Sequence, residues 1–404
     1  MWKASASCVD ITPEQALPLA GYAVRTKTFS RIADRLEING VLLEGKNQRI
    51  LLLSLDTLYT GPDLRPAILN AFPDELQAEG LFLAASHTHF APSIDSTKPG
   101  LGPVDPAYLS RVIDQAIQLV RHLFSLTPAE VEIRHQCHTA AYNMNRRKLP
   151  LFTRPGAERC EAGPNPRAPR DERLRRMDLV DTGGSSVATL WHYACHPVGY
   201  PDQDAVSADF PGVGRATLRA IHGAAHPVLF FQGFSGDLRP RVLEPHRDLL
   251  RKIFKGPLFG HFSTAEWDSW SAGLAAGLLA ESTQPLVDCS GSLRTLRSTM
   301  GMGTICKPGD ALPPLSLQGI RLGEVQLLGV SAELMAAYGI QADDRTWSIG
   351  CMDHTFGYFP TDAMLGQGGY EVTGFQENFG LDIAFQPGSE RALREALRSV
   401  CSSS

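Results

Sequence analysis

Three short stretches concentrate the side chains that bind metals or move protons. The first is Ser86-His87-Thr88-His89, which directly follows the apolar run Leu81 to Ala85. In an extended chain residues two apart share a face, so the two imidazoles form either the start of a metal or acid/base site or a hydrogen-bonded loop pair. The second is Trp191 to Val198, which delivers His192 and His196 at a spacing that shares one face on a helix and also on a strand. Pro197 disfavours helical geometry for His196 and marks a strand exit, where a metal ligand would sit. His192 reads as a hydrogen-bonded structural histidine. The third is Leu327 to Met335, where Glu333 stands just beyond an apolar run. A carboxylate there either partners a helix dipole or completes a two-histidine, one-glutamate metal centre.

Other polar residues carry weaker signals. Asp209 lies just before Pro211 and reads as a helix N-cap, with contact to a substrate as the alternative. Gly233, Gly236 and Asp237 close the run Phe230 to Pro240, which suits a tight turn or close approach to a bound group. Gly236 follows Ser235 directly, so the spacing of a nucleophile elbow is missing and a serine-hydrolase reading is weak. His354, Tyr358 and Tyr370 lie among glycines and a proline, in loops that line a site or merely pack.

Positioning these groups requires strands that end beside them. Gly40 to Leu43, Arg49 to Leu55, Leu81 to Ala85, Val187 to Tyr193, Val228 to Gln232 and Val325 to Val330 read as strands. Leu64 to Phe72, Ala107 to Phe124, Pro211 to Ile221, Ala265 to Ala280 and Glu390 to Val400 read as helices. In the second helix, Leu109, Val112, Ile113, Ile117 and Val120 form the apolar side. The alternation predicts an α/β fold, a mixed central β-sheet flanked by helices, in one catalytic domain spanning residues 1–404. In such folds ligands sit beyond the carboxyl ends of the strands, where the histidines fall. Thr153 to Arg173 reads as a long loop able to act as a lid, and Ser402 to Ser404 as a frayed end.

With 404 residues, 43% of them hydrophobic and 20% charged, the chain can bury a substantial core. A net charge of −5 gives no global attraction to nucleic acid or anionic membranes. No apolar run approaches the ~18 residues of a transmembrane helix. The start, MWKASASCVDITP, lacks the charged and apolar regions of a signal peptide, and the eight cysteines include no C-x-x-C pair. Buried free thiols and a cytoplasmic location are therefore expected. Nothing in the sequence indicates an oligomeric state.

The order and wording of these stretches resemble the neutral, non-lysosomal ceramidase family across nearly the whole chain. Asp10 to Pro13 with Pro18 to Arg25 is similar to its N-terminal signature. Ser86 to Ser93 is similar to its histidine motif, and Tyr142 to Arg147 to its arginine motif. Tyr193 to Val198, Ser207 to Gly212, Gly236 to Pro240, Ser331 to Met335, and Gly357 to Glu371 then follow in the family's order.

The resemblance implies that His87, His196 and Glu333 bind one zinc ion. It implies that His89 moves protons beside the metal's water, and that Arg146 and Tyr370 contact the scissile carbonyl. The reaction implied is hydrolysis of an amide in a small acyl substrate, with an esterase or lactonase using the same chemistry. There are three departures. Where the family has a tyrosine as a further zinc contact, the matching residue is Thr355, leaving that place to water or His354. Arg239 replaces the serine of the Gly-Asp-x-Ser-Pro motif, which excludes any mechanism needing that serine and offers a site for an anionic substrate. No counterpart of the family's C-terminal immunoglobulin-like domain or secretion signal is found, which makes a membrane lipid a less expected substrate. The first two departures also leave room for a non-catalytic zinc- or ligand-binding relative.

Overall fold

The computed structural model describes residues 2–23, 25–46, 48–150, 159–246, 256–280 and 293–403. An eight-stranded sheet forms its centre. From one edge to the other the strands are Val228–Gln232, Ser186–Tyr193, Arg173–Asp181, Ala129–Thr139, Trp2–Asp10, Glu37–Glu44, Arg49–Leu55 and Leu81–Ala85. The outermost pair at each edge is parallel and the pairs between are antiparallel, so the sheet is mixed. Both edges are thus built from strands that exit in the same sense as their neighbour, with a polar loop after each.

Helices cover one face of this sheet. Pro106–Ser125 starts at Asp105, whose carboxylate accepts the Tyr108 N–H at 2.8 Å, and Pro106 occupies the first turn. Tyr108, Val112, Ala116, Leu119 and Leu123 recur every three or four residues and are buried, while Leu109, Ile113 and Ile117 flank them half-buried. Phe210–His222 and Thr264–Leu278 pack over Trp191 and Phe230 farther along the same sheet. The opposite face is covered by a second sheet of Arg294–Met300, Leu315–Leu322, Val325–Val330 and Thr346–Ile349. Leu52, Phe82, Leu229 and Phe231 of the first sheet meet Ile320, Leu327, Trp347 and Ile349 of the second in one core. Helix Ser389–Ser403 closes the outside of that second sheet.

The expected α/β class, mixed sheet and single domain are what the structure has, and the six anticipated strands and five helices are present. Three long antiparallel strands of the first sheet, Trp2–Asp10, Ala129–Thr139 and Arg173–Asp181, and Arg294–Met300 and Leu315–Leu322 of the second were not foreseen. In Ala129–Thr139, for example, Val131 and Ile133 point inward between exposed Glu130, Glu132 and Arg134, so the run lacks the continuous apolar wording of the parallel strands. Two further expectations are corrected. The C-terminal helix continues through Ser402 to Ser403, and Ser404 lies outside the described residues. Of the expected loop Thr153 to Arg173, residues 153–158 lie outside the described residues, and the remainder is tied down. Arg159 and Cys160 donate to the Gln367 carbonyl, Glu161–Ala162 pairs with Arg147–Lys148, and Arg173 already begins a strand.

Candidate metal centre

Strand Leu81–Ala85 and its neighbour Arg49–Leu55 end side by side, and their loops are laced together. The Ser86 N–H donates to the Leu55 carbonyl at 2.7 Å and the His87 N–H to Thr57 at 3.0 Å. His87 adopts a left-handed backbone (φ 67°), which turns its side chain into the gap beyond the strands. Its Nδ1 lies 3.0 Å from the Leu58 carbonyl. A carbonyl only accepts, so Nδ1 carries a proton and Nε2 is the nitrogen that faces inward. His196 arrives from the other edge, after strand Ser186–Tyr193, and is fixed in the same way. Its Nδ1 faces the Ser235 and Leu238 carbonyls at 2.8 and 2.9 Å, again freeing Nε2.

Glu333 enters from the second sheet, just after Val325–Val330. Its Oε2 lies 3.3 Å from His87 Nε2 and 3.1 Å from His196 Nε2, while Oε1 accepts the Tyr59 hydroxyl. His89 completes the group, its ring centroid 5.0 Å from that of His87 and 5.9 Å from that of His196. The ligand atoms of His87, His89 and His196 lie within 4.8 Å of one another, all buried, an arrangement able to hold a metal ion. Glu333 Oε2, His87 Nε2 and both nitrogens of His89 are buried with no hydrogen-bond partner. Glu333 Oε2 and the inward Nε2 atoms of His87 and His196 face one another, a donor set that a cation would satisfy.

The electrostatics follow from this crowding. Burial opposes charge on His87, but Cys351 and Glu333 outweigh it and hold the imidazole well above its usual range. Burial would also raise the Glu333 carboxyl, yet His87 and His196 hold it well below. His89 is pushed well below the usual histidine range by burial and by its two imidazole neighbours, so it is a neutral proton acceptor at pH 7.

Around the cluster lie the groups that can face a substrate. Arg146 donates Nε–H to Glu371 at 2.7 Å and Nη2–H to the Gly236 carbonyl at 2.8 Å. Its guanidinium sits 5.6 Å from the ring centres of both Tyr358 and Tyr370. Tyr370 is 39% and Tyr22 38% exposed, so these two rings mark the open side. Tyr22 stacks obliquely on His89 at 5.0 Å.

The structure therefore gathers His87, His89, His196, Glu333, Arg146 and Tyr370 in one place. His192 is a core residue between Arg175 and the Ser348 carbonyl, as expected. Asp209 is corrected from substrate contact to capping. One oxygen accepts from Phe210 and the other from Gly199 and Tyr200, so its carboxylate is fully occupied by backbone. His354 is also displaced from the role of further ligand, and Thr355, the matched position, faces away from the cluster. The Thr355 hydroxyl donates to the Asp353 carbonyl at 3.4 Å, and His354 faces Thr97 at 3.0 Å. The hydroxyl that does reach the cluster belongs to Tyr358, 3.3 Å from His196 Nε2.

Sequence reasoning also missed three positioning residues, Tyr59, Glu371 and Gly21, and the tie made by a fourth, Asp237. Tyr59 holds Glu333. Glu371 bridges Arg146 and Arg147, with Nη1 of Arg147 at 2.6 Å. Gly21 (φ 107°) has no room for a side chain, because a Cβ there would fall 2.4 Å from His89 Nδ1. Asp237 ties the arginine segment to the glutamate segment, accepting from Asn145 at 2.7 Å and from the Ala336 N–H at 2.8 Å. Each lies inside one of the short motifs or one turn from a strand end, but nothing in its residue type singles it out.

The combination defines a mixed-sheet α/β protein with a buried, metal-competent histidine cluster beyond its strand ends. Two solved structures share this fold. The neutral ceramidase from Pseudomonas aeruginosa superposes with a TM-score of 0.77 at 14% identity, covering 99% of this chain and 74% of that one. A ceramidase complexed with C2 gives 0.76 at 14% identity over the same shares. No protein-family model and no curated protein matches the chain. The resemblance read from the motifs thus holds for the fold along the whole chain.

Proposed function

We propose that the protein is a zinc-dependent hydrolase that cleaves the amide bond of a small N-acyl substrate, with residues 1–404 as its catalytic domain. The observation that carries this reading is the placement of Glu333 Oε2 at 3.3 and 3.1 Å from the inward-facing Nε2 atoms of His87 and His196. Ligands of a tetrahedral zinc at ~2.0–2.1 Å are about 3.3 Å apart, so these pairs match two edges of one coordination tetrahedron. We therefore assign His87, His196 and Glu333 as ligands of one zinc ion. A zinc ion held there supplies Lewis acidity and lowers the pKa of bound water to about 7.

This chain's own residues do the rest. Water forms the new C–O bond at the carbonyl carbon, the C–N bond breaks, and the leaving amine takes up a proton. His89, neutral, buried and beside both histidine ligands, accepts the proton from water and returns it to the amine. Arg146, pinned by Glu371, and the half-exposed Tyr370 face the oxyanion, each donor contributing about 3–4 kcal/mol when preorganised. An ester would follow the same path.

Among the described residues no helix is long and apolar enough to cross a membrane. The seven described cysteines are free, which supports the cytoplasmic placement, and Cys289 lies outside the described residues. The test is metal analysis of purified protein with a screen of N-acyl amides and esters. We expect one zinc per chain, turnover lost on chelation and turnover restored by zinc. Turnover that survives complete removal of metal would overturn the reading.

A further inference from the structure

Arg239 is the residue whose surroundings the hydrolytic reading leaves unexplained. Strand Leu238–Pro240 pairs with Asn143–Asn145, placing Leu238 opposite Asn145 and Arg239 opposite Met144. The Leu238 carbonyl supports the His196 ring, so Arg239 follows within one residue of the backbone that orients a proposed zinc ligand. Leu238 is fully buried and Arg239 turns to the other side, with its guanidinium 4.6 Å from the Phe259 ring centre. It lines one pocket with Gly199, Tyr200 and Val198, whose carbonyl accepts the Tyr22 hydroxyl. Tyr22 rests on His89, and Cys195 adjoins His196. Arg239 therefore borders the open side of the candidate centre.

Among the described residues this guanidinium has no carboxylate partner, and its buried Nε–H has no acceptor. The contrast with other buried arginines is sharp. Arg215 pairs with Asp56, Arg175 with Asp171, and Arg146 and Arg147 share Glu371. Asp209, which acts on both Tyr22 and Cys195, has both oxygens occupied by backbone N–H groups. Arg25, beside His89, also lacks a carboxylate, but its guanidinium is taken up by the carbonyls of Leu19, Ala20, His89 and Gln203. Arg239 is half-buried, and its buried Nε–H without an acceptor is costly, so the group calls for a ligand that satisfies it.

We infer that Arg239 docks a carboxylate carried by the substrate, so that the enzyme acts on N-acylated amino acids rather than on neutral N-acyl lipids. The planar fork of arginine matches a carboxylate through two parallel hydrogen bonds. This inference rests on the hydrolase reading for its reaction, but not for the binding of the anion.

The experiment uses the zinc-loaded protein with N-acyl-glycine, N-acyl-β-alanine and N-acyl-γ-aminobutyrate, each paired with its neutral primary carboxamide. For at least one spacing the acid should have a KM about 10–100-fold below that of its carboxamide, the value of one or two charge-assisted hydrogen bonds. Arg239→Gln should collapse that ratio towards one, while Arg239→Lys, which keeps the charge without the fork, should retain part of it. Arg239→Met preserves packing over Phe259 and replaces the glutamine variant should that one fail to fold. Equal KM values within each wild-type pair, or a ratio unmoved by Arg239→Gln, would overturn the inference. If no substrate is turned over, the hydrolase reading fails, and calorimetry with the same pairs still decides the role of Arg239. Selective binding of the acids that is lost in Arg239→Gln supports it, and equal binding of acid and carboxamide refutes it.

Discussion

Two overlapping ligand sets are candidates for the proposed metal: the three histidines His87, His89 and His196, or His87, His196 and Glu333. A single pair of variants separates them. Tyr59 touches Glu333 and not His196, and its hydroxyl is the hydrogen-bond partner that holds Oε1 while Oε2 faces the two imidazoles. Tyr59→Phe removes only that hydroxyl and leaves Oε1 buried without its donor. An unsatisfied buried acceptor costs about 1–3 kcal/mol, and loss of a ligand's hydrogen-bond support weakens metal affinity about 10–100-fold, two figures that agree at 1.4 kcal/mol per factor of ten. Competition titration with a chromophoric chelator measures the zinc dissociation constant directly. We expect a 10–100-fold rise in Tyr59→Phe and less than a threefold change in His89→Ala, whose turnover nevertheless falls at least a hundredfold. The opposite pattern, zinc lost in His89→Ala and retained unchanged in Tyr59→Phe, would refute the assignment of Glu333 and make His89 a ligand.

The remaining expectations concern the groups around that centre. Gly21→Ala drives a methyl into the His89 ring, so kcat should drop at least tenfold while bound zinc, measured by metal analysis, stays stoichiometric. Glu371→Gln leaves Arg146 and Arg147 without their shared carboxylate and should lower stability by about 3–5 kcal/mol in urea unfolding, together with a loss of turnover. Stability should fall on acidification. Burial, with Arg175 nearby, depresses His192 to about 3 and His135 to about 4, so both stay neutral in the fold while the unfolded chain protonates. Their contribution is complete above about pH 6.5 and shrinks as pH falls, by about 2 kcal/mol for each between pH 7 and 5. His192→Gln should flatten that slope in chemical denaturation, and an unchanged slope would count against the assignment.

Much of this site was legible because each proposed ligand sits just after an apolar run. Leu81 to Ala85, Val187 to Tyr193 and Val325 to Val330 are buried over nearly their whole length, and such continuous strands announce themselves by composition. Mixed antiparallel strands such as Ala129–Thr139 hide in the sequence, since one face packs and the other is charged. Asp209 shows the limit of local reasoning. Its position before a proline suggests a cap, but the second oxygen's bonds to Gly199 and Tyr200 depend on a loop ten residues away.

The sequence by itself determined residue chemistry and local direction: imidazoles at strand exits, a carboxylate at another, a proline and glycines to stop each run. Those properties depend on periodicity and backbone sterics within a few residues, which neighbours in the chain set. Only the tertiary structure decided that His87, His196 and Glu333 share one point, since they come from opposite edges of one sheet and from a second sheet laid across it. It also decided that Tyr358 rather than Thr355 reaches the cluster, and that Arg239 has no carboxylate partner among the described residues. Distances and the absence of a partner are properties of packing, because they are fixed by the burial of Leu52, Phe82, Leu327 and Trp347 between the sheets and not by any single segment.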